Sequence, residues 1–486
     1  MIFLANLERQ QIMKRSFWAL VILRGFLNAV IPLMDKTEAR YAEIARIMAE
    51  TQNWIVLQID YGIPFWAKPP LSTWASALSI SLFDASAFFV RLPYLIVCSF
   101  IGWWIGQFNR DKGVHYLPGI ILLTLPEFFL HAGVVSTDVF LTLSTTIVML
   151  AFWKSMQLGA SKKWGYFFFV GLGLGLLAKG PLIGVLTLPP IVVWCLIQHK
   201  LFKALKTAPW LLGSLIMTAI ALPWYILTEK ASPGFIDYFI VGEHFNRYFN
   251  SEWVGDKYGF PKQQPYGIVW VFLFAFCLPW SIFLIQSLRK KIRTIRHHPW
   301  GLFLLFWMLW TPLFFSTSSS LIHPYILPVT IPVALWISHF WNENKKRTLY
   351  LGIGISIPVI LFVVYLSGFA KPLLENNTDK YLIENSAALP IYALQKKTYS
   401  SQFYSQGKIK IVDILVLKKM IDSHTQFKII IDHRTLENIS PKIKNRLNKK
   451  IEHKKRGIYM LKEWALSTPY PSLKADQYKE HLKRDK

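Results

Sequence analysis

Long apolar runs separated by short polar turns fill the first 370 positions of the chain. They recur at 16–33, 88–108, 114–131, 137–153, 164–178, 181–198, 208–228, 266–288, 300–316, 321–341 and 348–369, each near the length of a membrane-crossing helix. A shorter run at 72–83 reads as a further short or re-entrant segment. The pattern predicts a polytopic α-helical membrane protein with about 11–13 transmembrane helices over residues 1–370. The first long polar interval, 34–70, carries its own helical period. Thr37 is placed to cap, Glu38 falls in the first turn, and Tyr41, Ile44, Ala45 and Met48 share one face. Arg40, Glu43, Arg46 and Glu50 alternate in sign on the other face, as on a well-paired helix lying on a membrane or against other extramembrane parts. Beyond residue 370 the period changes. Short apolar runs at 389–394, 410–412, 427–431 and 458–461 read as strands, and 414–421 and 441–448 as helices. These predict a small α/β domain over 371–470, followed by a basic, disordered tail at 471–486.

Composition supports the membrane reading. The 486 residues are 53% hydrophobic and 17% charged, against about 25% charged in soluble domains. The formal charge of +26 raises nucleic acid as a partner. Its distribution argues against that, because the cations cluster between apolar runs and in the tail. With the N-terminus in the cytoplasm, the inner turns hold Arg9, Lys14 and Arg15; Arg110 and Lys112; Lys154, Lys162 and Lys163; Lys200, Lys203 and Lys206; Arg289 to Arg296; and Lys345 to Arg347. The short outer turns hold Lys179 and almost nothing else. This positive-inside alternation places the loops 34–87 and 229–265, and the domain after residue 370, outside the cytoplasm. No small-residue cleavage site follows the first apolar run, so that run is expected to stay as an anchor. Cys98, Cys195 and Cys277 all lie within apolar runs and offer neither a disulfide framework nor a metal motif.

Ionisable residues at the outer ends of spans stand out against this background, because such positions are costly and often functional. Asp35 and Glu38 follow the first run. Lys68 lies in Phe65-Trp66-Ala67-Lys68-Pro69-Pro70, where two prolines extend the backbone beside aromatic rings. Asp138 opens the fourth run, where a helix cap is the plainer reading, and Lys179 sits in the turn Ala178-Lys179-Gly180-Pro181. The second outer loop contains Glu243-His244-Phe245-Asn246-Arg247, with His244 and Arg247 expected on one helix face. Ser318-Ser319-Ser320 and His323-Pro324-Tyr325 complete the set. All fall on one side of the membrane. Carboxylates beside clustered cations suit attack by a hydroxyl on a carbon whose leaving group is a phosphate: the carboxylate takes the proton and the cations hold the departing charge. A lipid-linked sugar phosphate fits that depth.

The same residues carry a family resemblance. The segments Thr37-Glu38-Ala39-Arg40-Tyr41-Ala42-Glu43-Ile44-Ala45-Arg46, Trp54-Ile55-Val56, Phe65 to Leu71, Arg91-Leu92-Pro93, Thr137-Asp138, Ala178 to Pro181, Glu243 to Arg247, Leu278-Pro279-Trp280 and Pro324 to Pro328 occur in order over 15–340. As an ordered set they resemble the bacterial membrane glycosyltransferases of the C superfamily, in the branch of protein O-mannosyltransferases and lipid A aminoarabinose transferases. The resemblance implies inverting transfer of a sugar from a polyprenyl-phosphate carrier to a glycolipid or protein acceptor, on the periplasmic face of the inner membrane. It implies Glu38 or Asp35 as the base, with Asp138 also in the catalytic group. Lys68, Arg247 and Lys179 would hold the carrier phosphate, and His244, Tyr325 and Arg40 would line the cavity. No cofactor and no nucleic acid are implied. Two positions depart from the family. Thr37 stands where an Asp is common, with Asp35 two residues earlier as the alternative to Glu38, and Ala67 replaces a Glu that would serve as a cation ligand, which leaves a divalent cation possible but without support. The rival reading is a transporter or flippase of lipid-linked sugars. It fits less well, because such proteins carry midplane charges and internal repeats, whereas the charges here lie on one face and no repeat is visible.

Overall fold

The computed structural model describes residues 2–108, 114–249, 255, 257–259, 263–318, 320–384, 389–453 and 455–462. Ser319 and the expected tail at 471–486 lie outside the described residues. The chain forms two compact units, Met1–Leu374 and Glu375–Lys486.

The first unit is a helical bundle. Apolar runs become the helices Ile2–Val30, Ala87–Trp104, Thr137–Ser155, Lys163–Lys179, Leu182–Ile197, Trp210–Ala231, Pro299–Phe315 and Arg347–Leu366. Four helical segments among the described residues are long and apolar enough to cross a membrane alone, five if the bent pair Ile268–Phe276 and Trp280–Lys291 is one span. Three expected runs are broken. Leu117–Thr124 and Pro126–His131 are separated by an extended Leu125. The run at 266–288 bends by 107° at the break before Trp280, where Pro279 has no N–H to continue a ladder. The run at 321–341 begins as a 3-10 segment, His323–Val329, whose Pro324 and Pro328 suit the tighter turn, before Thr330–His339 turns α-helical. Gly175 lets neighbouring helices approach: a Cβ there would stand 2.3 Å from Ile183 Cγ1.

The interval 34–70 forms the helix Thr37–Thr51 and a two-stranded hairpin, β1 (Gln58–Asp60) with β2 (Ile63–Pro64). Two expectations fail here. The N-cap is Lys36, which makes no side-chain cap bond, and Thr37 is already helical. Half of the charged face is not a surface: Glu43 is 0% and Arg46 4% exposed, while the Glu50 side chain stays 52% exposed. Arg46 donates to both Glu43 oxygens at 2.7 Å, and to Glu50 at 2.5 Å and the Tyr61 hydroxyl at 3.1 Å. A pair that neutralises itself and satisfies its hydrogen bonds tolerates burial that neither charge would tolerate alone. The helix packs against the short helix Leu71–Leu82, the segment expected at 72–83.

The second unit is α/β. Its five strands, β3 (Ile391–Leu394), β4 (Lys410–Val412), β5 (Lys428–Asp432), β6 (Leu447–Glu452) and β7 (Arg456–Leu461), lie in the order β4-β3-β5-β7-β6. β4, β3 and β5 are parallel; β7 and β6 add antiparallel. Strand alternation sends Ile429 and Ile431 into one core with Leu417, Phe427 and Tyr459, and Ile430 into another with Leu382, Ala393 and Ile458. The helix expected over 441–448 stops at Arg446, and Asn448 belongs to β6.

Candidate functional site

The site grows from the junction of the two loops that the charge pattern places outside. Bonds between them include Trp66 Nε1 to Ser232 Oγ (2.9 Å), Arg40 to the Tyr258 carbonyl (2.6 Å), the Trp66 amide to the Tyr258 hydroxyl (3.0 Å) and that hydroxyl to the Pro64 carbonyl (2.9 Å). Arg40, beside the Tyr41 and Phe65 rings, is thereby a clamp between the loops.

At that junction Glu243 bridges two cations. Lys68 Nζ donates to Glu243 Oε2 at 2.8 Å, and Arg247 to the same oxygen at 3.1 Å. The Glu243 side chain is almost fully buried, and Oε1 has no hydrogen-bond partner among the described residues. Burial pushes the Glu243 carboxyl up, but Lys68 and Arg247 outweigh it and hold the group below the usual carboxylate range. Lys68 mirrors this: burial pushes it down, yet the Glu243 charge, followed by Tyr41, keeps it above the usual lysine value. Two cations around one carboxylate leave a net positive charge in a confined site.

His244 and Arg247, expected on one helix face, take different partners. Residues Asp237–Asn246 are π-helical, which shifts the angular register. Arg247 reaches Glu243, while His244 turns away, Nδ1 2.8 Å from the Phe239 carbonyl and Nε2 3.2 Å from the Lys179 carbonyl. Burial lowers the His244 pKa, which favours the neutral ring. That ring anchors the turn carrying Lys179. Gly180, at φ +67°, closes the helix there, with Phe239 2.7 Å from where a Cβ would stand.

Lys179 Nζ donates to Asp138 Oδ1 at 2.5 Å and lies 4.4 Å from the centre of the Tyr325 ring. Asp138 sits in the first turn of Thr137–Ser155, but it meets a lysine 41 residues away and does not cap its own helix. The His244 ring, next to Glu243 in the chain, touches the Lys179 carbonyl, so the turn carrying the Asp138–Lys179 pair adjoins the loop carrying Glu243.

The two carboxylates at the start of the first loop differ. Glu38 is buried, and Arg91 grips it with Nε to Oε1 at 2.7 Å and a terminal nitrogen to Oε2 at 2.8 Å. The Met34 and Val135 amides also donate to it. Arg91 further donates to the Asn28, Ile31 and Pro32 carbonyls, satisfying acceptors left open where the first helix ends. Glu38 is thus the centre of a clamp. Asp35 is partly exposed.

A group that the sequence reading did not assemble lies close by. Glu127, His131 and His323 bring one ligand atom each within 4.8 Å of one another. The E-x-x-x-H spacing in the turn 127–131 was the available signal, hidden inside an apolar run.

With this geometry in place, likeness to known proteins is informative. Residues 17–239 match the family model "Dolichyl-phosphate-mannose-protein mannosyltransferase". The chain is 29% identical over 405 residues to the undecaprenyl phosphate-alpha-4-amino-4-deoxy-L-arabinose arabinosyl transferase of Enterobacter sp. (strain 638), covering 79% of this chain and 71% of that one. The like-named protein of Aeromonas salmonicida is 29% identical over 352 residues, covering 69% and 62%. In fold, the chain resembles the crystal structure of ArnT from Cupriavidus metallidurans bound to undecaprenyl phosphate, with a TM-score of 0.74 at 18% identity over 93% of this chain and 98% of that one. The apo form of the same protein matches at 0.70. Residues 17–239 thus carry the likeness to the mannosyltransferase family, and the chain shares the fold of ArnT.

Proposed function

We propose that this protein transfers a sugar from a polyprenyl-phosphate carrier to a lipid A-like glycolipid, at the periplasmic face of the inner membrane. The observation that carries the reading is the group Lys68–Glu243–Arg247, two cations on one buried carboxylate at the junction of the outer loops. The related transferases are named for an undecaprenyl phosphate sugar, and ArnT of the same fold was crystallised with undecaprenyl phosphate. The charge alternation supports a cytoplasmic N-terminus, with residues 34–87, 229–265 and the chain after 370 on the outer side.

In the proposed reaction, the acceptor hydroxyl oxygen attacks the anomeric carbon. The bond from that carbon to the phosphate oxygen breaks, and the electron pair leaves with the polyprenyl phosphate. Lys68 and Arg247 neutralise the departing charge, and Glu243 keeps both cations positioned between turnovers. A carboxylate takes the hydroxyl proton. Asp35 is the better candidate, since Glu38 is held at both oxygens by Arg91. Attack opposite the phosphate inverts the anomeric centre. Lys179, over Tyr325 and paired with Asp138, is the third cation available to the carrier phosphate.

Purified protein given labelled undecaprenyl-phosphate-linked sugars, with lipid A or unfolded periplasmic protein as acceptor, tests this. Label in lipid A is expected. Label in protein alone would replace the acceptor, and movement of intact donor across a vesicle without transfer would replace the reaction by transport.

A further inference from the structure

Glu127 and His131 lie at i and i+4 on Pro126–His131, so their side chains share a face. His323 opens the segment His323–Val329 and reaches back to them. Its Nδ1 is 2.9 Å from Glu127 Oε2 and 3.0 Å from Oε1, and His131 Nε2 is 3.1 Å from Oε1. Two donors each about 2.1 Å from a tetrahedral metal stand about 3.4 Å apart. The Glu127 separations fall a few tenths of an ångström inside that figure. All three ligand atoms lie within 4.8 Å of one another, so closing on an ion draws the two imidazoles together around Glu127.

Other features point to a ligand rather than to a plain hydrogen-bonded cluster. His131 is buried, yet its Nε2 has no hydrogen-bond partner among the described residues, although a carboxylate oxygen is 3.1 Å away. Its other nitrogen, Nδ1, is 3.3 Å from Ser136 Oγ. A proton on Nδ1 leaves the Nε2 lone pair facing Glu127, the arrangement that metal-binding histidines take. The His323 ring is held by a Phe276 ring stacked at 4.7 Å and 13°. Glu127 is fully covered and the His323 side chain 35% exposed, which provides an entry path.

We propose that Glu127, His131 and His323 bind one divalent transition-metal ion of the zinc class, leaving a further coordination position open. Two imidazoles and a carboxylate suit zinc or cobalt better than magnesium or calcium, which prefer all-oxygen shells. The ion has a positioning role. His131 contacts Ser136, two residues before Asp138, and His323 lies two residues before Tyr325, whose ring lies under Lys179. One ion therefore ties together the segments that present Asp138 and Tyr325, on either side of Lys179.

The test needs no sugar donor, so it is independent of the proposed transfer reaction. Full-length protein in detergent, stripped with EDTA and exchanged into metal-free buffer, is titrated with cobalt(II) chloride, and separately with zinc sulfate and elemental analysis. One equivalent of cobalt with visible d–d absorption, displaced by zinc, is expected. Glu127→Gln and His323→Ala should each weaken binding at least tenfold. Zinc should raise the melting temperature of the wild type but not of His323→Ala. His323 is partly exposed, so its variant keeps the test open if Glu127→Gln does not fold. Absence of a stoichiometric cobalt band and of zinc uptake in the wild type overturns the proposal. So does uptake unchanged in His323→Ala.

Discussion

Replacing Arg91 with Met should cost far more than any surface charge, because Arg91 has no exposed role to fall back on. All five N–H donors of its guanidinium are used: two on Glu38 and three on carbonyls where the first helix ends. Arg91 is 2% exposed. Removing it leaves the buried Glu38 carboxylate with two backbone amides and leaves three carbonyls short of a donor. Breaking one side of such a pair costs about 3–5 kcal/mol, roughly two to four decades in the folding equilibrium. The assay is reversible unfolding of purified protein in mixed micelles, read by tryptophan fluorescence. Glu38→Gln alone strands the arginine charge and should cost a similar amount. The double variant should cost less than the sum of the two, with a coupling of about 1–3 kcal/mol. A loss below about 1 kcal/mol in Arg91→Met, or strictly additive effects, would refute the clamp and return Glu38 to the list of bases.

Asp35→Asn should reduce transfer by about 10²–10⁴ at unchanged melting temperature and unchanged donor affinity, measured by single-turnover kinetics; retained turnover would remove Asp35 as the base. Glu243 supplies a pH test. Its folded pKa is depressed by Lys68 and Arg247 against the pull of burial, so the unfolded state binds its proton first. The stability it contributes is present above about pH 4.5 and is lost as pH falls through the lower folded value. Acid unfolding of Glu243→Gln should therefore show a shallower decline in that window, and an identical decline would contradict the pairing. Gly180→Ala forces a left-handed residue to carry a Cβ 2.7 Å from Phe239. It should cost about 1–3 kcal/mol and lower turnover through Lys179 more than it changes donor affinity, as steady-state kinetics with varied donor would show.

The bundle was legible wherever apolar length alone decided it, as in Thr137–Ser155 and Arg347–Leu366. The breaks at Leu125, Pro279 and 323–329 were not, because hydropathy averages over the residues that interrupt a ladder. Lys68, Asp138 and Lys179 were visible as charges at the outer ends of apolar runs, but their partners were not. Glu38 meets Arg91 across 53 positions, and Lys68 meets Glu243 across 175, separations that no local period encodes. The Glu43–Arg46 part of the charged face of Thr37–Thr51 was misjudged for a related reason: an i, i+3 pair that can be solvated can equally be buried once it neutralises itself. In the π-helical register at Asp237–Asn246, His244 and Arg247 take different partners, where an α-helical count places them on one face.

The central claim is that Lys68 and Arg247, held by Glu243, form the phosphate seat of a polyprenyl carrier. Equilibrium binding of undecaprenyl phosphate to the purified protein tests it most directly. Lys68→Ala and Arg247→Ala should each weaken binding at least tenfold when affinity is measured on the folded fraction, since each also removes one partner of the buried Glu243 and lowers the melting temperature. Undiminished affinity in both variants would contradict the account.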